Sequence, residues 1–150
     1  MPILPVIKYP AKILRQKAKK IKDSSDPGIQ KLIKDMVETL RKAQGLGLAA
    51  PQVRKSIRLC VVEFENKLYV LINPKVINFS KNKATMEEGC LSFPKKFFSV
   101  ARPEKVKVMY LDEKGKRSKI KADGILSRII QHEIDHLNGV LIIDRTKKYK

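Results

Sequence analysis

The chain contains only two histidines, and both lie in the segment Gln131-His132-Glu133-Ile134-Asp135-His136. Two residues that are four apart in a helix lie on the same face, one turn above the other. A glutamate directly after the first histidine completes the HExxH pattern, in which the imidazoles bind a divalent metal and the glutamate transfers protons. The pattern is short and also arises by chance, so its meaning depends on the rest of the chain.

The residues around the two histidines predict a buried helix. Asp123 is suited to begin this helix, and Gly139 is suited to follow its end. The apolar residues that recur at helical spacing are Ile125, Ile129, Ile130, Ile134 and Leu137. Because buried polar groups need partners, the imidazoles and carboxylates on this helix are expected to have them.

Length and composition predict a single domain over residues 1–150. The chain is 43% hydrophobic and 32% charged, with no apolar run long enough to span a membrane. The start, Met1 to Pro5, lacks the apolar region of a signal peptide. Two cysteines without any sign of export indicate reduced thiols, so we expect a cytoplasmic protein with no membrane partner. An organellar origin stays open, since a targeting sequence can be cleaved.

The net charge of +18 predicts contact with a polyanion. Basic residues cluster near the start at Lys17, Lys19, Lys20 and Lys22, and at the end at Arg145, Lys147, Lys148 and Lys150. RNA is the expected cytosolic partner, and no DNA partner is expected. The simpler interpretation is a lysine-rich surface in water, because no aromatic-rich nucleic-acid motif accompanies the charge.

The remaining pattern predicts an α+β fold. An amphipathic helix is expected from Gly28 to about Gln44, with its apolar face in the core. Short apolar runs between turns predict strands at 57–64, 67–72, 75–79, 85–90, 97–102, 106–111, 117–121 and 140–143. We therefore expect mostly antiparallel β-sheets packed around a central HExxH helix, plus one long N-terminal amphipathic helix.

The segment Gly45-Leu46-Gly47-Leu48-Ala49-Ala50-Pro51-Gln52 is unusually rich in small residues. Such a segment usually means that another group approaches the backbone closely. A flexible loop between a helix and a strand is the alternative. A phosphate-binding loop is excluded, because the required glycine spacing and the Lys-Ser/Thr pair are missing.

A metal site on the HExxH helix needs a third protein ligand that is not histidine. Downstream, Asp144 is the only carboxylate, and Ile142 stands where the HExxHxxGxxH pattern has its last histidine. The cysteines are the other candidates. Cys60 lies in an apolar strand, where cysteine is usually part of the core. Cys90 follows a glycine and two glutamates, which favours it as the ligand.

With these stretches together, the chain resembles peptide deformylase over essentially its whole length. The resemblance rests on the segment from Gly45 to Gln52, on Glu88-Gly89-Cys90-Leu91-Ser92, and on the segment from Gln131 to Leu137. It implies removal of the formyl group from the N-terminal formyl-methionine of nascent proteins, with release of formate. All three motifs in this order are far more specific than any one of them.

The resemblance also implies the role of each residue. Cys90, His132 and His136 would bind the metal, whose water attacks the formyl carbon. Glu133 would be the general base and acid, and the Gln52 amide and the Leu91 N–H would stabilise the oxyanion. The implied substrate-binding residues are Gly45, Leu46, Gly47, Met86, Glu88, Ile125 and Ile129. Arg102 would pair with Glu88, although an ordinary surface ion pair is the simpler interpretation. Asp135 is expected to anchor the helix through hydrogen bonds.

Fe²⁺ is the implied native metal, and Zn²⁺, Ni²⁺ or Co²⁺ are alternatives. The implied partners are N-formyl-methionyl nascent peptides and, transiently, the ribosome. Some bacterial members contact the ribosome with a C-terminal helix, which does not follow Asp144 here, so contact through the basic surface is expected. Two other interpretations stay open: an HExxH peptidase, and an inactive RNA- or ribosome-binding module that keeps the fold.

Overall fold

The structure, a computed structural model, describes residues 3–146. The helices are α1 (Pro27–Lys42), α2 (Gly124–Leu137) and the short α3 (Ile142–Arg145). The strands are β1 (Gly47–Ala49), β2 (Leu59–Phe64), β3 (Lys67–Phe79), β4 (Lys83–Cys90), β5 (Phe93–Pro103), β6 (Lys105–Leu111) and β7 (Arg117–Asp123). Two 3-10 turns lie at Lys12–Arg15 and Ala50–Val53. Within the described residues, no helix has the length and apolar character needed to cross a membrane.

The strands form two antiparallel sheets. Five strands pair in the order β1-β2-β3-β6-β7, while β4 and β5 form a separate two-stranded sheet. The predicted α+β class with antiparallel sheets is confirmed. Because β1 is at the end of its sheet and β4 has one neighbour only, each of the two strands has one edge that no other described strand pairs.

The long helices lie on opposite faces of the five-stranded sheet. Side chains alternate between the two faces of a strand. On β2, Leu59 and Val61 pack with α1, whereas Cys60 and Val62 pack with Ile130 and its neighbours on α2. The centre of β2 is therefore buried on both faces, and the sheet holds α2 in a fixed position.

The sequence predicts an N-terminal amphipathic helix, and this position is wrong. α1 begins at Pro27, and the Asp26 carboxylate accepts a hydrogen bond from the Gly28 N–H at 2.7 Å. The arm before it crosses the domain. Ile7 N–H donates to the Gln52 carbonyl at 2.7 Å, and Ala18 N–H donates to the Leu137 carbonyl at 2.8 Å. These backbone bonds fasten the arm to the 3-10 turn at Ala50–Val53 and to the end of α2, so the arm precedes the long helix and is not part of it.

Two breaks expected within the sheets lie inside continuous strands. Asn73 adopts a positive φ of 50°, and a shift in the β3–β6 register between Ile72 and Lys75 absorbs the irregularity. Similarly, Lys95 has a φ of 63° but lies within β5, and the β4–β5 strands turn directly after Cys90. A bulge thus lies where the sequence predicts a break between 72 and 75, and the predicted break between 90 and 97 narrows to a turn at Leu91-Ser92 followed by a bulge.

The last predicted strand, 140–143, is wrong. Ile142 instead begins α3, and the Asp144 carboxylate accepts a hydrogen bond from the Leu141 N–H at 2.8 Å. Leu141 and Ile142 are buried beside Phe93 and Phe98. The apolar run is therefore core, but it packs from the first turn of a helix rather than from a strand.

Candidate active site

The three predicted metal ligands come together at one point. α2 carries His132 and His136 on one face, with their ring centroids 5.0 Å apart. Cys90, the last residue of β4, approaches from the other sheet, and its Sγ lies 3.4 Å from Nε2 of His136. The three donor atoms all lie within 4.8 Å of one another. A helix and a strand that are far apart in sequence thus supply one donor set.

This donor set fits a divalent transition metal. Thiolate and imidazole are the ligands that suit zinc and iron, and catalytic zinc sites combine them in a set of three protein ligands. Burial keeps the pKa of His136 well below its ordinary value, so its imidazole is neutral and can act as a ligand. Among residues 3–146, the group of side chains that could hold an ion contains these three only.

Glu133 lies buried beside the ligand set. Its Oε1 atom is buried without a hydrogen-bond partner among the described residues. Burial raises the pKa of Glu133 to about 7, although the neighbouring His132 and Arg102 act to lower it. A buried carboxyl that no other side chain satisfies can exchange a proton with a molecule in the cleft.

Gly47 makes room for the Glu133 side chain. A Cβ atom at position 47 would lie 2.5 Å from Oε2 of Glu133 and 2.8 Å from its Cγ, both closer than real contacts. The close approach predicted for the small-residue segment therefore exists, and the approaching group at this position is the glutamate.

Glu88 connects His132 to a buried ion-pair network. Its Oε1 lies 3.1 Å from Nδ1 of His132, and the Arg102 guanidinium donates to both carboxylate oxygens at 2.6 and 3.0 Å. Burial alone would raise the pKa of Glu88, but the hydrogen bonds from His132 and Arg102 and the charge of Arg102 lower it to about 2. An ionised carboxylate only accepts, so it holds the proton of His132 on Nδ1 and leaves Nε2 as the donor atom.

The Glu88–Arg102 pair was predicted, but its simpler interpretation as a surface ion pair does not fit. Both side chains are about 95% buried. Arg102 also donates to Asp135 Oδ2 at 2.9 Å, and Arg145 donates to both oxygens of that carboxylate, to Oδ1 at 2.9 Å and to Oδ2 at 3.1 Å. Asp135 therefore ties α2 to β5 and α3 through charged hydrogen bonds.

Arg128 is a member of this network that the sequence interpretation missed. Its guanidinium donates to Glu88 Oε2 at 2.6 Å, to the Val100 carbonyl at 2.9 Å and to the Ala84 carbonyl at 2.6 Å. It thereby joins α2 to both strands of the small sheet. The available signal was its position, four residues before His132 on a buried helix, where a charge needs a partner.

Gln52 faces the ligand set from the 3-10 turn after β1. Its Oε1 accepts a hydrogen bond from the Ala49 N–H at 2.9 Å, which orients the amide. Its Nε2 then donates to the Ser92 hydroxyl at 3.1 Å and lies 3.7 Å from Cys90 Sγ. Ser92 is another residue that the sequence interpretation missed. Its hydroxyl donates a hydrogen bond to the Ile7 carbonyl at 2.7 Å. Leu91, the other predicted oxyanion donor, lies between Cys90 and Ser92 and lines the same cleft.

The cleft beside these residues has a volume of about 610 Å³. It contains every predicted substrate-binding residue: Gly45, Leu46, Gly47, Met86, Glu88, Ile125 and Ile129. Leu46, Met86 and Ile125 are 51%, 42% and 45% exposed, so large apolar side chains form an accessible rim. The unpaired edges of β1 and β4 both border the cleft. Such a site suits an extended peptide with an apolar side chain.

One cysteine candidate lies outside the ligand set. Cys60 is fully buried in β2 beneath α2, and burial raises its pKa well above the ordinary thiol value. It packs in the core and does not join the ligand set. Lys147, Lys148 and Lys150, part of the C-terminal basic cluster, are outside the described residues.

Comparison with known proteins agrees in both sequence and fold. The family model described as polypeptide deformylase matches residues 3–150. The peptide deformylase of Picosynechococcus sp. is 48% identical over 141 residues, which cover 91% of this chain and 75% of that relative.

Solved structures show the same similarity. The crystal structure of the peptide deformylase from Thermotoga maritima matches with a TM-score of 0.95 at 37% identity, and covers 98% of this chain and 99% of that one. The peptide deformylase from Synechococcus elongatus, solved in complex with actinonin, matches with a TM-score of 0.95 at 42% identity, over 99% and 81% of the two chains. The resemblance noted in three short motifs thus extends over the whole fold.

Proposed function

This chain belongs to the polypeptide deformylase family of hydrolases, and we propose how its own residues remove the formyl group from the N-terminal formyl-methionine of nascent proteins. The observation that carries the proposal is the convergence of Cys90, His132 and His136 beside the buried carboxyl of Glu133. The family and fold support the overall reaction. The residue roles below are our inference.

Substrate binds as an extended chain between the free edges of β1 and β4. Backbone groups of Gly45 and Gly47 on one side and of the Glu88 region on the other are accessible to pair with a peptide. The methionine side chain lies against Leu46, Met86, Ile125 and Ile129. Burying an apolar side chain of this size contributes about 1.5–3 kcal/mol, which is enough to favour methionine over small residues.

Cys90, His132 and His136 hold one divalent metal ion. When bound there, the ion polarises the formyl carbonyl and lowers the pKa of water. We propose Fe²⁺ as the native ion, with Zn²⁺, Ni²⁺ and Co²⁺ as replacements that the same donors accept. Because one ligand is a thiolate, oxygen sensitivity of the iron form is expected.

Glu133 moves the proton in both halves of the reaction. It removes a proton from the water molecule that attacks the formyl carbon, and it then gives that proton to the amine nitrogen as the C–N bond breaks. The products are formate and a free N-terminal methionine. The free Oε1 atom supports this role, since no protein donor competes for it among residues 3–146. A positioned acid–base group of this kind typically contributes about 10²–10⁴ in rate.

Gln52 and the backbone N–H of Leu91 stabilise the oxygen that gains charge in the tetrahedral intermediate. The Gln52 amide is 1% exposed, and the bonds to Ala49 and Ser92 fix it with Nε2 toward the ligand set. A donor that is already in place needs no reorganisation when charge develops, which makes it effective in catalysis.

Formate release from a formyl-Met peptide tests the proposal. Protein purified without oxygen and loaded with Fe²⁺ should release formate, while Glu133→Ala should keep its metal and lose about 10²–10⁴ in kcat. The matched control is Glu63→Ala, which removes a carboxylate that is paired with Arg41 at 2.8 Å on the surface. Turnover by the Glu133 variant at the normal rate would contradict the proton-transfer role.

The two other interpretations predict different results. A peptidase would cleave internal bonds of unformylated peptides. An inactive binding module would hold the metal but release no formate from any formyl peptide, and it would bind ribosomes without turnover.

The second part of the proposal is transient association with the ribosome through the basic surface. This association places the protein in the cytoplasm, where proteins are made. The +18 net charge favours association with ribosomal RNA. Co-sedimentation with ribosomes that is lost at high salt would support this part, and its absence at low salt would contradict it.

A further inference from the structure

A second large concavity lies on the side of α2 that faces away from the cleft. It has a volume of about 830 Å³. From α2 it is lined by Gln131, Ile134, Asp135 and Asn138, whereas the cleft is lined by Ile125, Arg128, Ile129, His132 and Glu133. We call it the back groove.

The back groove is strongly positive. Its cationic lining residues are Arg58, Lys75, Lys81, Lys83, Arg102 and Arg145. The only carboxylate in the lining is Asp135, which is already bound by both Arg102 and Arg145. The three lysines form no ion pair with any described residue.

The positive surface continues from the groove onto the outer face of β6 and β7. Val106 and Val108 are buried in the core, so Lys105, Lys107 and Met109 point outward. Lys107 is directly opposite Lys121 in the strand register, and the next outward pair is Met109 and Lys119. One carboxylate, Asp123, lies at the end of this face opposite Lys105.

Directly opposed lysines repel each other and destabilise a sheet. Neither Lys107 nor Lys121 has an ion-pair partner within residues 3–146. A polyanion across both lysines would remove this repulsion.

An exposed aromatic ring lies at the strand ends between the groove and the lysine face. Phe79 pairs with Val106 in the strand register, so its ring lies on the α2 side of the sheet, and Lys107 and Lys121 lie on the other side. Phe79 is 50% exposed, and it borders both the back groove and a shallower hollow that contains Lys105, Lys107 and Lys121. An aromatic ring within a basic groove is the combination that binds single-stranded nucleic acid, since bases stack on the ring while lysines contact phosphates.

We infer that the back groove and the lysine face bind a single-stranded segment of RNA, which stacks one base on Phe79, passes around the end of the sheet and places phosphates against Lys107 and Lys121. Folded RNA exposes such unpaired bases in loops and bulges. The inference deepens the proposed ribosome association, on which it rests, by naming the surface and the RNA feature. Because α2 separates this surface from the cleft, the bound enzyme could still accept a peptide.

Binding of a labelled oligouridylate of about twelve nucleotides to the metal-loaded enzyme tests the inference, by fluorescence anisotropy between about 50 and 200 mM KCl. Lys107→Gln/Lys121→Gln should weaken binding about tenfold at the low salt and reduce the slope of log K against log salt by about 1.4, or 0.7 for each lost phosphate contact. Phe79→Leu keeps an apolar side chain but removes the ring, and should weaken binding by about fivefold or more.

The matched control is Lys34→Gln/Lys42→Gln, which changes the charge equally on the exposed side of α1. It should stay within about twofold of the unchanged protein, because contacts beyond a Debye length of about 10 Å are screened. Formyl-peptide turnover should be unchanged in every variant, so failure of the proposed reaction and failure of RNA binding give separate results.

Several outcomes would overturn the inference. Equal losses in the two double variants would mean that net charge alone attracts RNA. Unchanged affinity in Phe79→Leu would remove the stacking contact. Tighter binding to phosphatidylserine vesicles than to RNA, lost in the Lys107/Lys121 variant, would assign the surface to an anionic membrane, and no RNA binding at the low salt would leave the surface without this partner.

Discussion

The two sides of α2 have opposite chemical character. The side that faces the cleft carries the metal donors and Glu133, and its rim is apolar at Leu46 and Ile125. The other side borders a groove in which unpaired lysines dominate. Both sides belong to one helix, because a helical repeat of 3.6 residues places 125, 129, 132 and 136 apart from 131, 134, 135 and 138. Lys8, Lys95 and Lys96 also line the cleft, so the two sides differ in the apolar rim and the buried Glu133 rather than in basic charge alone.

A network of charged side chains nevertheless connects the two sides. Glu88 contacts His132 on the cleft side, while Arg102 reaches from Glu88 to Asp135 at the groove. The groove therefore has a structural link to His132, a proposed metal ligand, as well as a charge of its own. Variants on either side can separate these two contributions.

The largest effect is expected for Cys90→Ser on the cleft side. Loss of a direct ligand should weaken metal binding by more than about 100-fold, beyond the range typical for partners outside the ligand set. Metal content after dialysis against a chelator measures this. Cys60→Ser is the control: it should keep its metal and lose about 1–3 kcal/mol in the free energy of unfolding, because a hydroxyl replaces a buried thiol. Equal metal loss in both variants would remove Cys90 from the ligand set.

Gly47→Ala should lower kcat by about 100-fold while metal content stays normal, since a displaced catalytic group costs about this much. The added methyl would lie 2.5 Å from Glu133 Oε2, so the carboxylate must move. Gly28→Ala makes the same chemical change at the start of α1, where the nearest atom is Asp26 Oδ1 at 3.1 Å, and should leave kcat unchanged. Normal turnover by the Gly47 variant would show that the position of Glu133 tolerates a shift.

Arg128→Met tests the link between the ligands and the small sheet. It removes three hydrogen bonds of 2.6–2.9 Å, so the free energy of unfolding should fall by about 2–4 kcal/mol and the metal affinity by about tenfold. Arg145→Met touches the same network through Asp135 from an exposed position, and should cost about 1 kcal/mol or less. Chemical denaturation and metal titration measure the two quantities separately. A fall in stability without any change in metal affinity would make Arg128 purely structural.

The smallest effect is expected from salt on the cleft itself. Turnover of a short uncharged formyl-Met peptide should change by less than about twofold as KCl rises to about 200 mM, because apolar contacts are not screened. Steady-state kinetics at about 50 and about 200 mM KCl measure kcat/KM for this peptide. A steep loss of kcat/KM would mean that the basic surface also contributes to binding of the peptide.

Local sequence pattern was sufficient for the elements that carry the chemistry. The pattern around His132 and His136 predicts a helix that begins at Asp123, one residue before the observed start of α2. Because the chain has only two histidines, a third metal ligand must be of another type, which favours a cysteine. Local pattern was insufficient at Asn73-Pro74, at Lys95-Lys96 and at 140–143. In the first two places cross-strand pairing continues through a bulge. At 140–143 the Asp144 carboxylate caps a helical turn whose apolar residues pack in the core.

Residue identity and spacing therefore determined the fold class and the family of this chain and predicted its metal ligands, because these follow from short-range periodicity and from the chemistry of a few side chains. Tertiary packing alone decided that Arg128 and Arg102 share Glu88, that Gly47 clears space for Glu133, and that Phe79 borders the same hollow as lysines from β6 and β7. Each of these contacts joins residues at least 14 positions apart. No local pattern encodes such a distance, which is set only when the sheets and α2 bury their apolar faces together.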